Sequence, residues 1–434
     1  MNERHKISDL ESAFNIKLTE NGDLAHCSTG NRLSDILFMS EYYGKHLTAL
    51  TSRMIGQSPY EKVFAMFMRD PRFGMGRRDL GRHLMKLTGC GPEMITAAGR
   101  WDDVFNVLPL KEAAQAFYNA IMSGDELAKK WAPRYSSKNL MIAREFAAAY
   151  GLNKQQYGKF IKANTVERAL SEKDTDRINF EHVPSLALLK YWKRFLNGTD
   201  TGARFSKYVD KVKKGEAKIN TSVTNVYDIY RKRNDIDADV VYDNLEKISG
   251  SWIPIIDVSG SMWTGDAIGK ALSIGKYLAD TSTYCPRQFV TFSAYPKLVT
   301  LPDASYQTQL DTINSSDWGM NTDFGAVMRM LSRLERSFPE FLVVLSDMEF
   351  DSGSRGSKEA LMSGWRLNGI NTKIVWWNFN ARNKTVPETD KFGNIFMSGY
   401  NPMLLKYLEA GFDNDKFVDT LLVNYVKNLK DQIK

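Results

Sequence analysis

The most informative feature of the chain is a set of oxygen-bearing side chains that could hold a divalent cation. The turn Asp257-Val258-Ser259-Gly260-Ser261 has the spacing D-x-S-x-S, which lets three side chains point at a common centre. Thr322 and Asp347 supply two more oxygen donors further along the chain. Mg²⁺ prefers six oxygen ligands and is usually held by one or two carboxylates together with neutral oxygens. These residue types therefore predict a divalent-metal site.

The predicted elements place these donors at one edge of a sheet. Asp257 directly follows the strand-like run Trp252–Ile256, and Asp347 comes just after the strand-like run Phe341–Leu345. Thr322 precedes a predicted helix. Ligands of open parallel sheets bind in the crevice beyond the carboxyl ends of the strands. We therefore expect the three segments to converge there.

The second half of the chain alternates short apolar runs with amphipathic stretches. The predicted strands are Trp252–Ile256, Gln288–Phe292, Lys297–Leu301, Phe341–Leu345, Lys373–Asn378 and Asn394–Met397. The predicted helices are Asp266–Thr281, Asp323–Arg336, Ser357–Leu367, Pro402–Glu409 and Asp415–Leu429. Such alternation is typical of a parallel sheet with helices on both faces. It predicts a doubly wound, mostly parallel α/β domain over residues 251–434.

The first half has a different pattern. From about Leu33 to Leu245 the apolar residues recur at helical spacing, and β-branched runs are scarce. In Ser185–Leu196, for example, one face of the predicted helix is apolar and the other is basic. These patterns predict an all-helical domain over residues 1–250. A HEAT-like stack of helix pairs suits such helices, although no fixed repeat period is present.

Composition limits the class of protein. The chain has 434 residues, of which 43% are hydrophobic, and this is enough for two domains with their own cores. No apolar stretch reaches the roughly 18 residues of a membrane span, and the first residues lack the apolar segment of a secretory leader. The three cysteines contain no C-x-x-C pair and all five histidines lie in the first half, which argues against a zinc centre. We expect a protein of a reducing compartment with no membrane partner.

The positive charge lies in the first half. Residues 1–250 contain 39 Lys and Arg against 31 Asp and Glu, whereas the remainder contains 19 against 20. A dense cluster of cations within 18 residues consists of Arg69, Arg72, Arg77, Arg78, Arg82 and Lys86. Cations of this kind bind phosphates without sequence preference, although a solvated helix face is an equally good interpretation. We take the six residues as candidate RNA contacts.

The metal motif resembles the metal-ion-dependent adhesion site of von Willebrand factor type A domains. That family uses D-x-S-x-S, a distant Thr and a distant Asp, and all five positions have counterparts here. The resemblance implies that Ser259, Ser261 and Thr322 bind Mg²⁺ or Mn²⁺ directly, and that Asp257 and Asp347 act directly or through water. It also implies that an acidic residue of a protein partner completes the metal shell. The site would then dock a partner and catalyse no reaction.

Phrases elsewhere in the chain resemble a second family, the domain of unknown function 2828, over roughly residues 60–410. They include Gly99-Arg100-Trp101-Asp102-Asp103, Lys130-Trp131-Ala132-Pro133-Arg134 and Met397-Ser398-Gly399-Tyr400. A helical module joined to an adhesion-type domain is also similar, more distantly, to the Ro ribonucleoprotein autoantigens, in which a ring of helical repeats called TROVE binds structured RNA. The resemblance implies a TROVE-like first half. Members of the domain of unknown function 2828 family occur in viruses and cells, so the expected location is the cytoplasm, or the virion for a viral protein.

Three functions remain open from the sequence. The first is a non-enzymatic, Ro-like RNA-binding protein with a Mg²⁺-dependent docking site. The second is a metal-dependent protein-interaction or virion-assembly component that binds no RNA. The third is a Mg²⁺-dependent nuclease, for which Asp347-Met348-Glu349 and Asp351 could supply extra carboxylates. No catalytic residues are assigned.

Overall fold

The fold is described from a computed structural model of the 434-residue chain. The structure describes residues 16–18, 24–26, 32–40, 51–52, 54–136, 138–221, 223–293, 295–316, 323–334, 337–347, 355–379, 388–389, 393–400, 403–409 and 414–433.

The first described elements are two short strands. β1 (Ile16–Leu18) and β2 (Leu24–His26) pair antiparallel, with Lys17 opposite Ala25. Three-residue strands are too short for a periodic signal, and the sequence therefore predicted nothing here. This hairpin is an addition to the all-helical prediction for the first half.

The other regular elements that the structure describes in the first half are helices, as predicted. They are α1 (Arg32–Met39), α2 (Pro59–Arg69), α3 (Arg78–Thr88), α4 (Pro92–Ala98), α5 (Trp101–Val107), α6 (Leu110–Met122), α7 (Glu126–Trp131), α8 (Leu140–Ala149), α9 (Lys154–Phe160), α10 (Val166–Glu172), α11 (Ser185–Leu196), α12 (Thr199–Lys213), α13 (Val226–Lys232) and α14 (Ala238–Asp243). Two 3₁₀ turns, Thr175–Arg177 and Phe180–His182, lie between α10 and α11.

Local sequence explains where several of these helices begin and end. Ser58 and Glu61 form a reciprocal capping box at the start of α2, and Pro59 occupies its first position. At the carboxyl end of α3, Gly89 has a left-handed φ of 69°, which ends the helix at little steric cost. Along α3, Leu80 and Leu84 are buried and Lys86 is exposed, as its amphipathic pattern predicts.

A seven-stranded sheet forms the centre of the second half. Its strands are β3 (Trp252–Ile256), β4 (Gln288–Thr291), β5 (Leu298–Thr300), β6 (Phe341–Ser346), β7 (Lys373–Asn378), β8 (Glu388–Thr389) and β9 (Ile395–Ser398). Their order is β5-β4-β3-β6-β7-β9-β8. The five central strands pair in parallel, whereas the edge strands β5 and β8 are antiparallel to their neighbours.

Helices cover both faces of this sheet. The described helices between residues 267 and 409 are α15 (Ala267–Thr281), α16 (Tyr306–Ser315), α17 (Phe324–Ser332), α18 (Arg355–Leu367) and α19 (Met403–Glu409). On one face Ile253 and Ile255 join a buried cluster with Val327 of α17. On the other, α15 packs against β3 so closely that a Cβ on Gly275 would lie 2.4 Å from Ile256 Cδ1. The predicted doubly wound α/β architecture is confirmed.

Contacts divide the chain into two compact units. The sheet unit comprises Met1–Tyr42, Leu189–Lys193 and Val212–Phe417, and the helical unit comprises Tyr43–Leu188, Arg194–Lys211 and Val418–Lys434. In the sheet unit, Tyr242 of α14 donates a hydrogen bond to Asp280 of α15 at 2.8 Å, so α14 is anchored to this unit. The division into domains 1–250 and 251–434 stays a prediction about the sequence.

The helical unit includes most of the last helix, α20 (Asn414–Ile433). The ring of Tyr425 on α20 contacts that of Phe67 edge to face at 5.6 Å, and its hydroxyl donates to buried Asp70 at 3.2 Å. Within the described part of the chain, no helix combines the length and the apolar content needed to cross a bilayer.

Candidate functional site

Two neighbouring strands bring Asp257 and Asp347 to the same edge of the sheet. β3 and β6 are parallel, and Ile256 lies opposite Leu345 at their carboxyl ends. Asp257 continues this register, since its backbone N–H donates to the Leu345 carbonyl at 2.9 Å. Both carboxylates are buried, with Asp257 fully enclosed and Asp347 only 4% exposed. The predicted convergence of these two segments is present.

The turn after β3 points its polar groups into this crevice. The Ser259 backbone N–H donates to Asp257 Oδ1 at 2.8 Å, and the Ser346 hydroxyl donates to Asp257 Oδ2 at 2.6 Å. The Ser259 and Ser261 hydroxyl oxygens lie 3.1 Å apart. A carboxylate held at both oxygens beside two adjacent hydroxyls forms a compact group of oxygen donors.

Burial makes the charge on Asp257 costly. It raises the pKa of Asp257 above its ordinary value, the hydrogen bonds from Ser346 and Ser259 oppose that shift, and the nearby charge of Asp347 adds to it. A divalent cation between these groups would favour both ionised carboxylates. The electrostatics of the crevice therefore suit a cation better than a neutral ligand.

The donor set agrees with a hard cation such as Mg²⁺. Among the residues that the structure describes, no group of three or more His, Cys, Asp or Glu is arranged to hold a metal. A cation at this crevice would therefore depend on the hydroxyls of Ser259 and Ser261 beside the two carboxylates, which is a mixture that Mg²⁺ accepts. The fifth predicted donor, Thr322, lies outside the described residues, as do Glu349 and Asp351 of the nuclease interpretation.

An unpredicted contact holds the segment that follows Ser259. This 3₁₀ segment, Gly260–Asp266, contains Ser261 and ends with Gly265 and Asp266 in the left-handed region at φ 64° and 61°. The Tyr227 hydroxyl of α13 donates to the Asp266 carboxylate. Left-handed backbone is unfavourable for a non-glycine residue, and this hydrogen bond helps to hold it. No local motif predicts the contact, because 39 residues separate the two side chains.

Several candidate RNA contacts are used within the fold. Arg69 is 1% exposed, and it forms an ion pair with fully buried Asp103 at 2.6 Å. Arg82 also pairs with Asp103, and it pairs with Asp102 at 3.0 Å. Arg78 lies 3.9 Å from the same Asp102 carboxylate. These three arginines therefore place their charge beside buried Asp103 or the partly exposed Asp102, and their ion pairs join α2, α3 and α5.

The other candidates differ in how accessible they are. Arg72 pairs with Asp70 at 3.0 Å and is about one-third exposed. Burial lowers the pKa of the half-buried Arg77. Lys86 is exposed near the end of α3. The assignment of all six residues to RNA stays a prediction, and of the six Lys86 has the most accessible charge.

The conspicuous phrase Gly99-Arg100-Trp101-Asp102-Asp103 has a structural explanation. The Arg100 backbone N–H donates to the Asp103 carboxylate at 2.8 Å, and a Cβ on Gly99 would lie 2.3 Å from that carboxylate. The Trp101 indole donates to Asp125 at 2.9 Å. The phrase thus builds the acidic centre that the arginines surround. Asp102 and Asp103, two adjacent acids that follow the arginines in the sequence, are the signal that could have indicated internal partners for these cations.

Comparisons with known proteins give the following matches. Residues 148–248 match the model of the domain of unknown function 2828, and residues 251–430 match that of the domain of unknown function 7788. An uncharacterized protein of Acanthamoeba polyphaga mimivirus is 23% identical over 484 residues, which cover 90% of this chain and 84% of that protein. The crystal structure of the Ro (RSR) protein of Deinococcus radiodurans is similar with a TM-score of 0.44 and 13% identity, over 88% of this chain and 93% of that one.

The predicted likeness to the domain of unknown function 2828 is confirmed for residues 148–248. The structure also confirms a helical region followed by a mostly parallel sheet with helices. Membership of the von Willebrand factor type A family and the roles of the individual metal donors stay predictions.

Proposed function

We propose that the sheet unit holds Mg²⁺ or Mn²⁺ at the β3–β6 crevice and uses it to dock an acidic group of a protein partner. Asp257, Ser259, Ser261, Thr322 and Asp347 would hold the ion. The observation that carries the proposal is the pair of buried carboxylates beside two half-buried hydroxyls at the carboxyl ends of two adjacent parallel strands. A bound cation would supply a positive charge for a carboxylate of the partner.

Docking without catalysis is the better use of these groups. Both oxygens of Asp257 accept hydrogen bonds from neighbouring residues. A general base needs a lone pair directed at its substrate, whereas a metal ligand needs a fixed position.

Isothermal calorimetry of Mg²⁺ and Mn²⁺ binding tests the proposal. We expect Asp257→Asn and Ser259→Ala to weaken binding by about ten-fold or more, because each removes a donor or its orientation. Asp303→Asn is the matched control, since Asp303 is fully exposed and lies before α16. Equal affinities in the parent, the Asp257→Asn variant and the control would refute the cation site.

We also propose that the helical unit binds structured RNA. The support is the positive charge of that unit, since residues 43–188, 194–211 and 418–434 contain 29 Lys and Arg against 19 Asp and Glu. Titration of a structured RNA at increasing salt is the test, since affinity that rests on phosphates falls steeply with salt. A flat salt response would contradict the proposal.

The choice of variant matters in that experiment. Arg82→Glu would place a carboxylate against Asp102 and Asp103, and the resulting unfolding would imitate a loss of RNA binding. Lys86→Glu avoids this problem because Lys86 is exposed.

Purification separates these proposals from the alternative of an assembly protein without RNA. Nucleic acid that copurifies with the chain favours RNA binding. A nucleic-acid-free preparation whose protein partner is released by EDTA favours metal-dependent assembly alone.

A further inference from the structure

A second basic segment of the helical unit has its charges free of internal pairing. Residues 134–162, here called the α8–α9 segment, contain six cations and one acid, Glu145. The six cations are Arg134, Lys138, Arg144, Lys154, Lys159 and Lys162. All six are exposed, and none forms an ion pair with a carboxylate in the part of the chain that the structure describes.

The lack of ion pairs in the described part of the chain distinguishes the α8–α9 segment from the cluster at residues 69–86. There, Arg69 and Arg82 give their charge to Asp102 and Asp103 inside the fold. A cation already paired with a buried acid offers little to an external phosphate. The field available to a polyanion is therefore stronger at the α8–α9 segment.

Aromatic rings run alongside these cations in a continuous row. The ring centroids are 5.9 Å apart for Tyr135 and Tyr157, 6.1 Å for Tyr157 and Tyr150, and 5.6 Å for Tyr150 and Phe160. At one end of the row Tyr118 of α6 stacks on Phe160 at 5.9 Å, with 26° between the ring planes. The row thus links α6, α8 and α9.

Both ends of the row reach the surface, and a cation lies beside the Tyr135 end. Tyr118 is 36% exposed, and Phe160 beside it directly follows Lys159. At the other end, Lys154 Nζ lies 5.7 Å from the centre of the half-buried Tyr135 ring. Exposed rings beside unpaired cations are what single-stranded nucleic acid needs, because every base has a face that can stack and every nucleotide carries a phosphate.

We propose that the α8–α9 segment, together with Tyr118, is the face that binds single-stranded regions of RNA. Its lysines and arginines contact phosphates, and unstacked bases lie against Tyr118 and its neighbour Phe160. The inference rests on the proposed RNA binding of the helical unit, and it assigns that activity to residues outside the 69–86 cluster. A purely acidic protein partner would use the charges and leave the rings without a role.

Fluorescence anisotropy with a labelled oligouridine of about 12 nucleotides, within the range of known single-strand site sizes, tests the charges. The full-length Lys154→Glu/Lys159→Glu variant should bind about ten-fold or more weakly near 0.1 M salt. The plot of log affinity against log salt should become shallower, with the magnitude of its slope smaller by about 1.4, since each single-strand phosphate contact contributes about 0.7. The control is Lys207→Glu/Lys211→Glu, which changes two exposed lysines of α12 by the same charge. Control affinity should stay within about two-fold, allowing for weak long-range charge effects.

Tyr118 tests the rings separately. Tyr118→Ala should weaken binding by about five-fold or more and leave the salt slope unchanged, because stacking releases no counterions. Tyr118→Phe keeps the ring and should restore parental affinity, which a general loss of fold would not do. Circular dichroism of each variant reports whether the helices are intact.

The outcomes separate this inference from the broader proposal. RNA binding by the parent with an identical slope in Lys154→Glu/Lys159→Glu would overturn the α8–α9 face and leave RNA binding itself standing. An equal effect of the α12 control would likewise overturn it, because net charge alone would then explain the loss. If the parent binds neither structured RNA nor the oligonucleotide, RNA binding as a whole is overturned.

Discussion

At the scale of single residues, two buried aspartates illustrate two different uses of a carboxylate. Asp103 is fully buried and paired with Arg69 and Arg82, so its charge is neutralised within the fold. Asp257 is equally buried, yet its hydrogen bonds in the described part of the chain come from a serine hydroxyl and a backbone amide. A buried charge needs a partner of opposite sign to offset its desolvation. Asp103 therefore supports the structure, whereas Asp257 is suited to an external cation.

This difference gives a prediction about stability. Because burial raises the pKa of Asp257, the folded chain holds that proton more tightly than the unfolded chain does. The resulting stability is present at low pH and is lost as the pH rises through the folded pKa. At neutral pH without metal, Asp257→Asn should therefore be at least as stable as the parent. The difference in stability between Asp257→Asn and the parent should become smaller as the pH falls towards about 4, the ordinary pKa of an Asp side chain.

Thermal unfolding in EDTA and in saturating Mg²⁺ checks this prediction. Mg²⁺ at about 100 times the parental dissociation constant should stabilise the parent by about 2.7 kcal/mol, and should stabilise Asp257→Asn, which binds about ten-fold or more weakly, by about 1.4 kcal/mol or less. Ser346 can accept a hydrogen bond from the new amide, so the substitution keeps the local contacts. A variant less stable than the parent in EDTA, or equally stabilised by Mg²⁺, would show that Asp257 is structural.

At the scale of elements, the sequence predicts those parts whose signal is local. The apolar run at Trp252–Ile256 forms β3 with the predicted bounds, and the run from Phe341 forms β6, one residue longer than predicted. In contrast, β8 has only two residues and was not predicted. The pairing of Arg69 with Asp103 was missed because their contact depends on the packing of α2 against α5. The prediction of candidate sites has the same limit, since a motif identifies charged or polar side chains but does not show which residues they contact.

Packing of α15 against β3 positions the turn that begins at Asp257. A Cβ on Gly275 would lie 2.4 Å from Ile256 Cδ1, and Ile256 immediately precedes Asp257. Gly275→Ala should destabilise the sheet unit by about 1–3 kcal/mol through overpacking, and should weaken Mg²⁺ binding. Gly364→Ala in α18 is the matched control, because nothing lies within 4 Å of its new Cβ. The control should be neutral or stabilising by up to about 1 kcal/mol.

Urea unfolding followed by tryptophan fluorescence distinguishes these two variants. Equal stability of Gly275→Ala and Gly364→Ala would mean that α15 moves away from β3 without cost. The packing of α15 would then not set the position of Asp257.

At the scale of the whole molecule, each compact unit is assembled from separate stretches of the chain. Residues 418–434 follow the sheet in sequence, yet they belong to the helical unit, where Tyr425 contacts Phe67 and donates to Asp70. The alternation of strands and helices predicts that a helix ends the chain, but it carries no information on which unit that helix joins. Stability of the helical unit is therefore expected to depend on the last residues of the chain.

Tyr425→Ala tests that dependence. It removes a ring that is 1% exposed and leaves the buried Asp70 carboxylate without this hydrogen bond, so the helical unit should lose about 3–5 kcal/mol of stability. Val423→Ala on the same helix is the control, because Val423 is 68% exposed and should change stability by less than about 0.5 kcal/mol. Mg²⁺ binding by calorimetry should be the same in both variants, since the metal donors lie in the sheet unit. Loss of Mg²⁺ binding in Tyr425→Ala alone would show that the two units do not fold independently.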